Sequence, residues 1–197
     1  MEFSLLLSMA GFALAMSISP GPVNLVALGT GARYGFTASL RHVVGATLGF
    51  ILLLLLMGLG LGGALSRWPV ALGAIHWGGV LFLGWMAWQL LGASGEVEEV
   101  EGVPPAFWYG ALMQWLNPKA WLAASMGMGA YGAVGDVGQI VWFTSLYLVI
   151  CLVSIACWAY VGSCLQAVLL SPHRLRWFNR AMAMLLLLSA GYLVLEP

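Results

Sequence analysis

The sequence predicts an all-α polytopic membrane protein with six transmembrane helices, and three observations carry that expectation. Of its 197 residues 62% are hydrophobic and 7% charged, with a mean hydropathy of +0.97. A soluble core of that composition would leave too much apolar surface facing water, so the solvent must be lipid. The apolar residues gather in six runs, at 4–29, 36–65, 69–91, 106–130, 137–168 and 177–195, each long enough to cross a hydrocarbon core of about 30 Å. Two of these runs contain a proline break, Ser19-Pro20-Gly21-Pro22 and Leu116-Asn117-Pro118-Lys119. A broken helix frees backbone groups that hydrocarbon cannot satisfy, so such breaks persist only where protein or a hydrated cavity surrounds them.

The first run has an apolar stretch ending near Ala13-Leu14-Ala15, in the manner of a secretory signal. Only Glu2 precedes it, however, and the apolar pattern continues past Pro22, so the run reads as a retained helix. Pro20 and Pro22 cannot donate backbone hydrogen bonds and Gly21 tolerates conformations closed to other residues. An unwound corner is expected there, with the chain reversing. The second run carries His42 near one end and Thr47 further along; an interfacial histidine is ordinarily solvated, although its ordinary titration near neutral pH makes it a candidate proton-linked group. Gly58, Gly60, Gly62 and Gly63 close this run and suit close helix contact. In the third run His76 beside Trp77 reads as a packed residue. The following link is acidic, with Glu96, Glu98, Glu99 and Glu101, and reads as a solvated loop between two halves.

The fourth run contains Lys119, the one charge well inside a span. Burying it costs about 2.5–3.5 kcal/mol on insertion scales, which makes a lipid-facing placement unfavourable. It reads either as a pathway residue or as a cation that neutralises backbone carbonyls. The fifth run holds Cys151, Cys157 and Cys164; the last two share a face but stand about 10.5 Å apart, too far for a disulfide, and all three read as packing residues. Ten tryptophans are present. Trp68, Trp108 and Trp177 fall near predicted ends, as in an interfacial belt, whereas Trp85, Trp88, Trp115, Trp121 and Trp158 fall deeper, where a pathway wall and ordinary packing serve equally.

Arg33, Arg41, Arg174, Arg176 and Arg180 lie in alternate connections on one side, and only Arg67 on the other. The positive-inside rule then places both termini outside the cytoplasm. Pro20 and Pro118 each lie nine residues before a glycine-rich segment, Gly29 to Gly35 and Gly127 to Gly132. This spacing suggests a 3+3 inverted repeat: residues 1–95 as the first three-helix unit, 96–105 as the acidic connection and 106–197 as the second unit. Inversion would aim two helix N-termini, with unpaired amides and a positive dipole end, at one interior site suited to a carboxylate. The expected substrate pathway therefore comprises Pro20, Gly21, Pro22, Asn24, Asn117, Pro118 and Lys119.

Ser19-Pro20-Gly21-Pro22, Gly45 and Gly49, Gly79-Val80-Leu81-Phe82-Leu83-Gly84-Trp85, Asn117-Pro118-Lys119-Ala120 and Arg176-Trp177-Phe178-Asn179-Arg180 together resemble the lysine-exporter (LysE/RhtB-type) amino-acid export family. The resemblance implies a small multi-pass inner-membrane protein that exports an amino acid or related metabolite, driven by the proton-motive force. Two departures stand out. Phe50 occupies a position where the family often has a polar or acidic residue, and a glycine-rich stretch replaces the usual end of the fourth span. The alternative function is a non-transport scaffold or assembly partner that retains the exporter fold. An enzyme is not expected, since no HExxH, CxxC or nucleophile–base pairing occurs and His42, His76 and His173 are scattered. No cofactor, metal site or nucleic-acid partner is expected; the partners are the lipid bilayer and a small-molecule substrate, with a homo-oligomer left open by the glycines.

Overall fold

The computed structural model describes residues 3–92, 106–132, 136–165 and 171–195, and the described residues are helical with no strand. The acidic connection at 96–105 and the end of the fifth predicted run, 166–168, lie outside them. The helices are α1 (Phe3–Ile18), α2 (Pro22–Tyr34), α3 (Phe36–Leu56), α4 (Gly62–Leu65), α5 (Pro69–Gly92), α6 (Phe107–Trp115), α7 (Pro118–Tyr131), α8 (Val137–Leu165) and α9 (Pro172–Leu195). Three stretches are long and apolar enough to cross a membrane, Phe36–Leu65, Gly73–Gly92 and Val137–Leu165, and the bent pair α1 and α2 is a fourth.

Both breaks fall where proline placed them. Pro22 opens α2 and Pro118 opens α7, each in the first turn, where a missing N–H costs nothing. At the first break the chain bends by 60°. The expected reversal does not occur, because three residues without helical bonding tilt the axis while Leu25 N already rejoins Gly21 O at 2.9 Å. Between α3 and α4 a π turn, Met57–Leu61, contains Gly60 at φ 112°, a left-handed conformation that glycine adopts without steric cost. Gly58 does make a close contact, as read from the sequence, with Ile140 and Met128. A Cβ on Gly63 would meet nothing within 4 Å, so close contact does not account for that glycine.

Lipid supplies no hydrophobic force between helices, so small residues that let backbones touch decide the packing. A Cβ on Gly31 would fall on the Ala159 carbonyl of α8, and one on Gly162 would fall on the Leu28 carbonyl of α2. The second interface has the same character: Gly45 lies against Phe107 and Gly49 against Ala111, joining α3 to α6. These contacts also fix direction. Gly31 meets Ala159 near the ends of α2 and α8, whereas Phe50 meets Tyr147 and Gly58 meets Ile140, so α3 runs opposite to α8. Tyr131 at the end of α7 bonds Ser8 at the start of α1, with 2.8 Å between hydroxyl oxygens. The α1–α2 unit and the α6–α7 unit therefore run in opposite directions.

The exposed side chains of α5, among them Trp85 and Trp88, point away from the bundle, as do Cys157 and Cys164 on α8. None of these four lines an interior wall or packs in the core, which corrects the sequence reading: periodicity within a uniformly apolar helix does not reveal which face meets lipid. Cys151 is buried as expected.

The glycine contacts generate a stability prediction. Gly31→Ala should destabilise by about 1–3 kcal/mol, because the methyl must displace backbone rather than a flexible side chain. Gly129→Ala, with nothing within 4 Å of the added carbon, should be neutral or gain about 0.5–1 kcal/mol from helix propensity. Circular-dichroism melting in detergent distinguishes the two; equal midpoints would contradict the contact.

Candidate functional site

The first break leaves the last carbonyls of α1 without helical partners, and each finds one. Ser19 N still makes the last helical bond, to Ala15 O at 3.3 Å, and beyond it Met16 O accepts from Ser19 Oγ at 3.3 Å. Asn24 Nδ2 donates to Ser17 O and to Ser19 O, both at 2.8 Å, and Trp158 Nε1 on α8 donates to Ile18 O at 3.0 Å. Lys119 Nζ supplies the rest, donating to Ser19 O at 2.6 Å, Ser19 Oγ at 2.8 Å and Pro20 O at 3.3 Å. Such an accounting is obligatory for buried backbone groups. Asn24 thus fastens the break rather than standing ready for a ligand.

The second break is closed differently. Asn117 caps α7: its Oδ1 accepts from Lys119 N at 3.2 Å and its carbonyl from Ala120 N at 2.9 Å. Trp121 Nε1 donates to Trp115 O at 2.8 Å, closing the end of α6. The first amides of α7, expected to be open to an anion, are therefore already engaged by Asn117. What this break offers to the interior is the ammonium of Lys119.

Gly21 stands between the two breaks. Its φ of −170° and ψ of 171° are extended, so conformational freedom is not what requires glycine there. Space is. A Cβ would meet Lys119 Cδ at 3.2 Å and Nζ at 3.3 Å, a tight contact to which the end of the lysine would have to give by a few tenths of an ångström.

Two cavities share Gly21, Asn117 and Lys119 as a common wall. The central one, of about 40 Å³, is lined by the polar Ser17, Asn24, Gln114 and Asn117 together with Phe50, Tyr147 and Cys151. It has room for about three waters. The second, about 380 Å³, lies toward α5 and α9 between Leu83, Leu122, Leu185, Leu188 and the prolines Pro20, Pro22 and Pro118. All seven residues expected on the pathway therefore border at least one cavity. Ser19, Gln114, Tyr147 and Trp158 belong to the same assembly; of these Trp158 was read as wall or packing and Ser19 only as part of the break, and the other two were not singled out. Only the proline break could have flagged Ser19; the other three come from distant segments.

His42 is a correction. Expected at a solvated interface, it is fully buried, 0% exposed, in the contact between α3 and α6. Gly110 brings its backbone against the His42 carbonyl and ring, sealing the imidazole from water. Tyr109 lies beside it with ring centroids 6.2 Å apart, and neither ring nitrogen makes a well-formed hydrogen bond, the Val23 backbone being the polar group nearby. His42 borders neither of the two cavities described. His76, expected as a packed core residue, is half-buried and lies edge-on to its neighbour Trp77 at 5.5 Å. No group of three or more metal-ligating side chains occurs among the described residues.

Comparison with known proteins gives this geometry a context. The cysteine/O-acetylserine efflux protein of Escherichia coli (strain K12) is 25% identical over 183 residues, covering 91% of this chain and 92% of that protein. The protein of the same description from Salmonella typhi is 26% identical with the same coverage. No solved structure matches the chain. A family model described as LysE type translocator matches residues 14–197, a span that includes both breaks and the lysine between them, so the chain belongs to the LysE type translocator family and is a membrane transporter rather than an enzyme.

Proposed function

We propose that this protein is a secondary transporter that exports an amino acid or related small metabolite across the cytoplasmic membrane. The observation that carries the reading is the meeting of two broken helices at one buried ammonium beside a polar cavity. Pro20, Gly21, Pro22, Asn24, Asn117, Pro118 and Lys119 form the substrate pathway. Lys119 holds the carboxylate, which replaces a neutral acceptor such as Pro20 O; charge-assisted bonds are roughly twice as strong as neutral ones. The efflux relatives support export as the direction.

The architecture proposed is six spans in a 3+3 inverted repeat, 1–95 and 106–197, joined by the acidic connection at 96–105. Supporting it are the opposite directions of the α1–α2 and α6–α7 units, the proline that opens each second half-helix, and the Tyr-Gly pairs at their ends, Tyr34-Gly35 and Tyr131-Gly132. With Arg33, Arg41, Arg174, Arg176 and Arg180 cytoplasmic, both termini face outward. Proton-motive drive needs a titrating group. Among the described residues the only carboxylate is Asp136, at the start of α8 and accepting from Gln139 N at 3.0 Å, so the role falls to His42, whose burial couples its charge to separation of α3 from α6.

Three outcomes are expected. Lys119→Met, reconstituted in proteoliposomes, should lose transport more than tenfold, as removal of a charged hydrogen bond worth about 1.5–3 kcal/mol implies. Undiminished transport in a correctly inserted variant would leave Lys119 as a clasp only. His42→Gln should retain substrate counterflow yet lose accumulation driven by an imposed pH gradient; gradient-driven accumulation at the original rate would remove His42 from coupling. In a background without native cysteines, Arg174→Cys and Glu98→Cys should label only from the cytoplasmic side and Arg67→Cys only from outside, and labelling of Arg67→Cys from the cytoplasm would overturn the orientation.

A further inference from the structure

The central cavity carries information about which substrates fit, and the exporter reading is the premise for using it. Its one charged wall is Lys119, whose three donors meet neutral oxygens, Ser19 O, Ser19 Oγ and Pro20 O. Among the described residues no carboxylate faces it, Asp136 being held at the start of α8. The site therefore bears one uncompensated positive charge in a low-dielectric interior, where an unpaired ion is costly and a second cation without a partner is costlier still. The carboxylate of a zwitterion supplies the missing counter-charge, and the zwitterion's own α-ammonium stays beside that carboxylate. A dibasic amino acid would add a side-chain cation that no described residue can neutralise.

Size is set by the aromatic part of the lining. Phe50 and Tyr147 are 3% and 2% exposed, and their ring centroids lie 4.7 Å apart with 42° between planes. Tyr147 is held in turn by Phe143, edge-on at 5.7 Å, and by Phe12 at 6.5 Å. Phe50 cannot swing aside without disturbing that stack, so its ring is a fixed stop in a space of about 40 Å³. The other polar side chains of the lining are uncharged, among them Asn24, Gln114, Asn117 and the Ser17 hydroxyl, which makes no well-formed hydrogen bond.

We propose that the central cavity selects small carboxylates without a second positive charge, with Phe50 as the residue that limits their size and Lys119 as the one that fixes their charge class. Phe50 thus acts as a specificity-determining residue, a role the sequence did not assign to it.

The test is counterflow into proteoliposomes of the purified full-length protein, with labelled alanine, serine, cysteine, leucine, phenylalanine, lysine and arginine as probes. The first three should exchange, while leucine, phenylalanine, lysine and arginine should be at least about tenfold slower, the discrimination that a tight pocket gives against extra bulk or an unpaired polar group. Phe50→Ala should admit leucine and phenylalanine at rates near those of serine while still excluding lysine. Phe50→Leu serves the same purpose where the alanine variant inserts poorly, and should favour leucine over phenylalanine. Wild-type exchange of lysine as fast as serine overturns the charge rule. An unchanged size profile in variants that still exchange serine overturns the role of Phe50. Absence of exchange with all seven probes, in vesicles that incorporate the protein correctly, counts against the exporter reading itself, and the selectivity proposal falls with it.

Discussion

Lys119 donates three hydrogen bonds from α7 to the segment around Ser19 and Pro20, and both broken units depend on that junction. Without it the Pro20 carbonyl would lack its donor in a medium that supplies none, a penalty of about 1–3 kcal/mol for an unsatisfied group. The junction also favours glycine at position 21, since a Cβ there would crowd the end of the lysine side chain. Proline, glycine and lysine at these positions are therefore one device. Prolines open the two half-helices, glycine leaves the gap and lysine fills it with charge.

Around this junction the bundle is assembled by backbone proximity. Gly31, Gly45, Gly49, Gly110 and Gly162 each bring a helix against a neighbouring carbonyl, and dispersion over such contacts replaces the hydrophobic effect that a soluble bundle would use. The consequence is directional. The end of α2, on the side bearing Arg33, is pinned by main chain to the end of α8, and the middle of α3 is pinned to the start of α6. Toward the other side the contacts pass through side chains, as between Gly58 and Met128 or Gly127 and the rings of Phe12 and Phe143.

Stability and function share residues here. Asn24, Trp158 and Trp121 spend their donors on carbonyls that the breaks expose, and Asn117 spends its acceptor on an amide. Each is consequently a residue whose loss would loosen the breaks, whatever contact it makes with a ligand. The ammonium differs in that its acceptors are neutral and exchangeable for a carboxylate. A buried cation satisfied only by neutral oxygens is stable enough to persist and still gains from meeting an anion.

The sequence by itself determined the class, the breaks and the family. Composition left lipid as the only solvent, Pro22 and Pro118 could open helices but not continue them, and the order of motifs from Ser19 to Arg180 marked the LysE type translocators. Lys119 was legible as a site candidate because a charge inside a membrane span is costly unless it faces a cavity or a partner. The partners of these residues were not legible. Lys119 and Ser19 are 100 positions apart, Phe50 and Tyr147 nearly as far, and no local period records such a pairing. Within helices that are apolar on every side, the hydrophobic pattern also loses its power to say which face is inside. That is why His42 was expected in water and is buried, and why Cys157 was expected in the core and faces outward. Tertiary packing decided these matters, because in lipid a side chain's surroundings are chosen by shape and hydrogen bonding between helices rather than by its polarity alone.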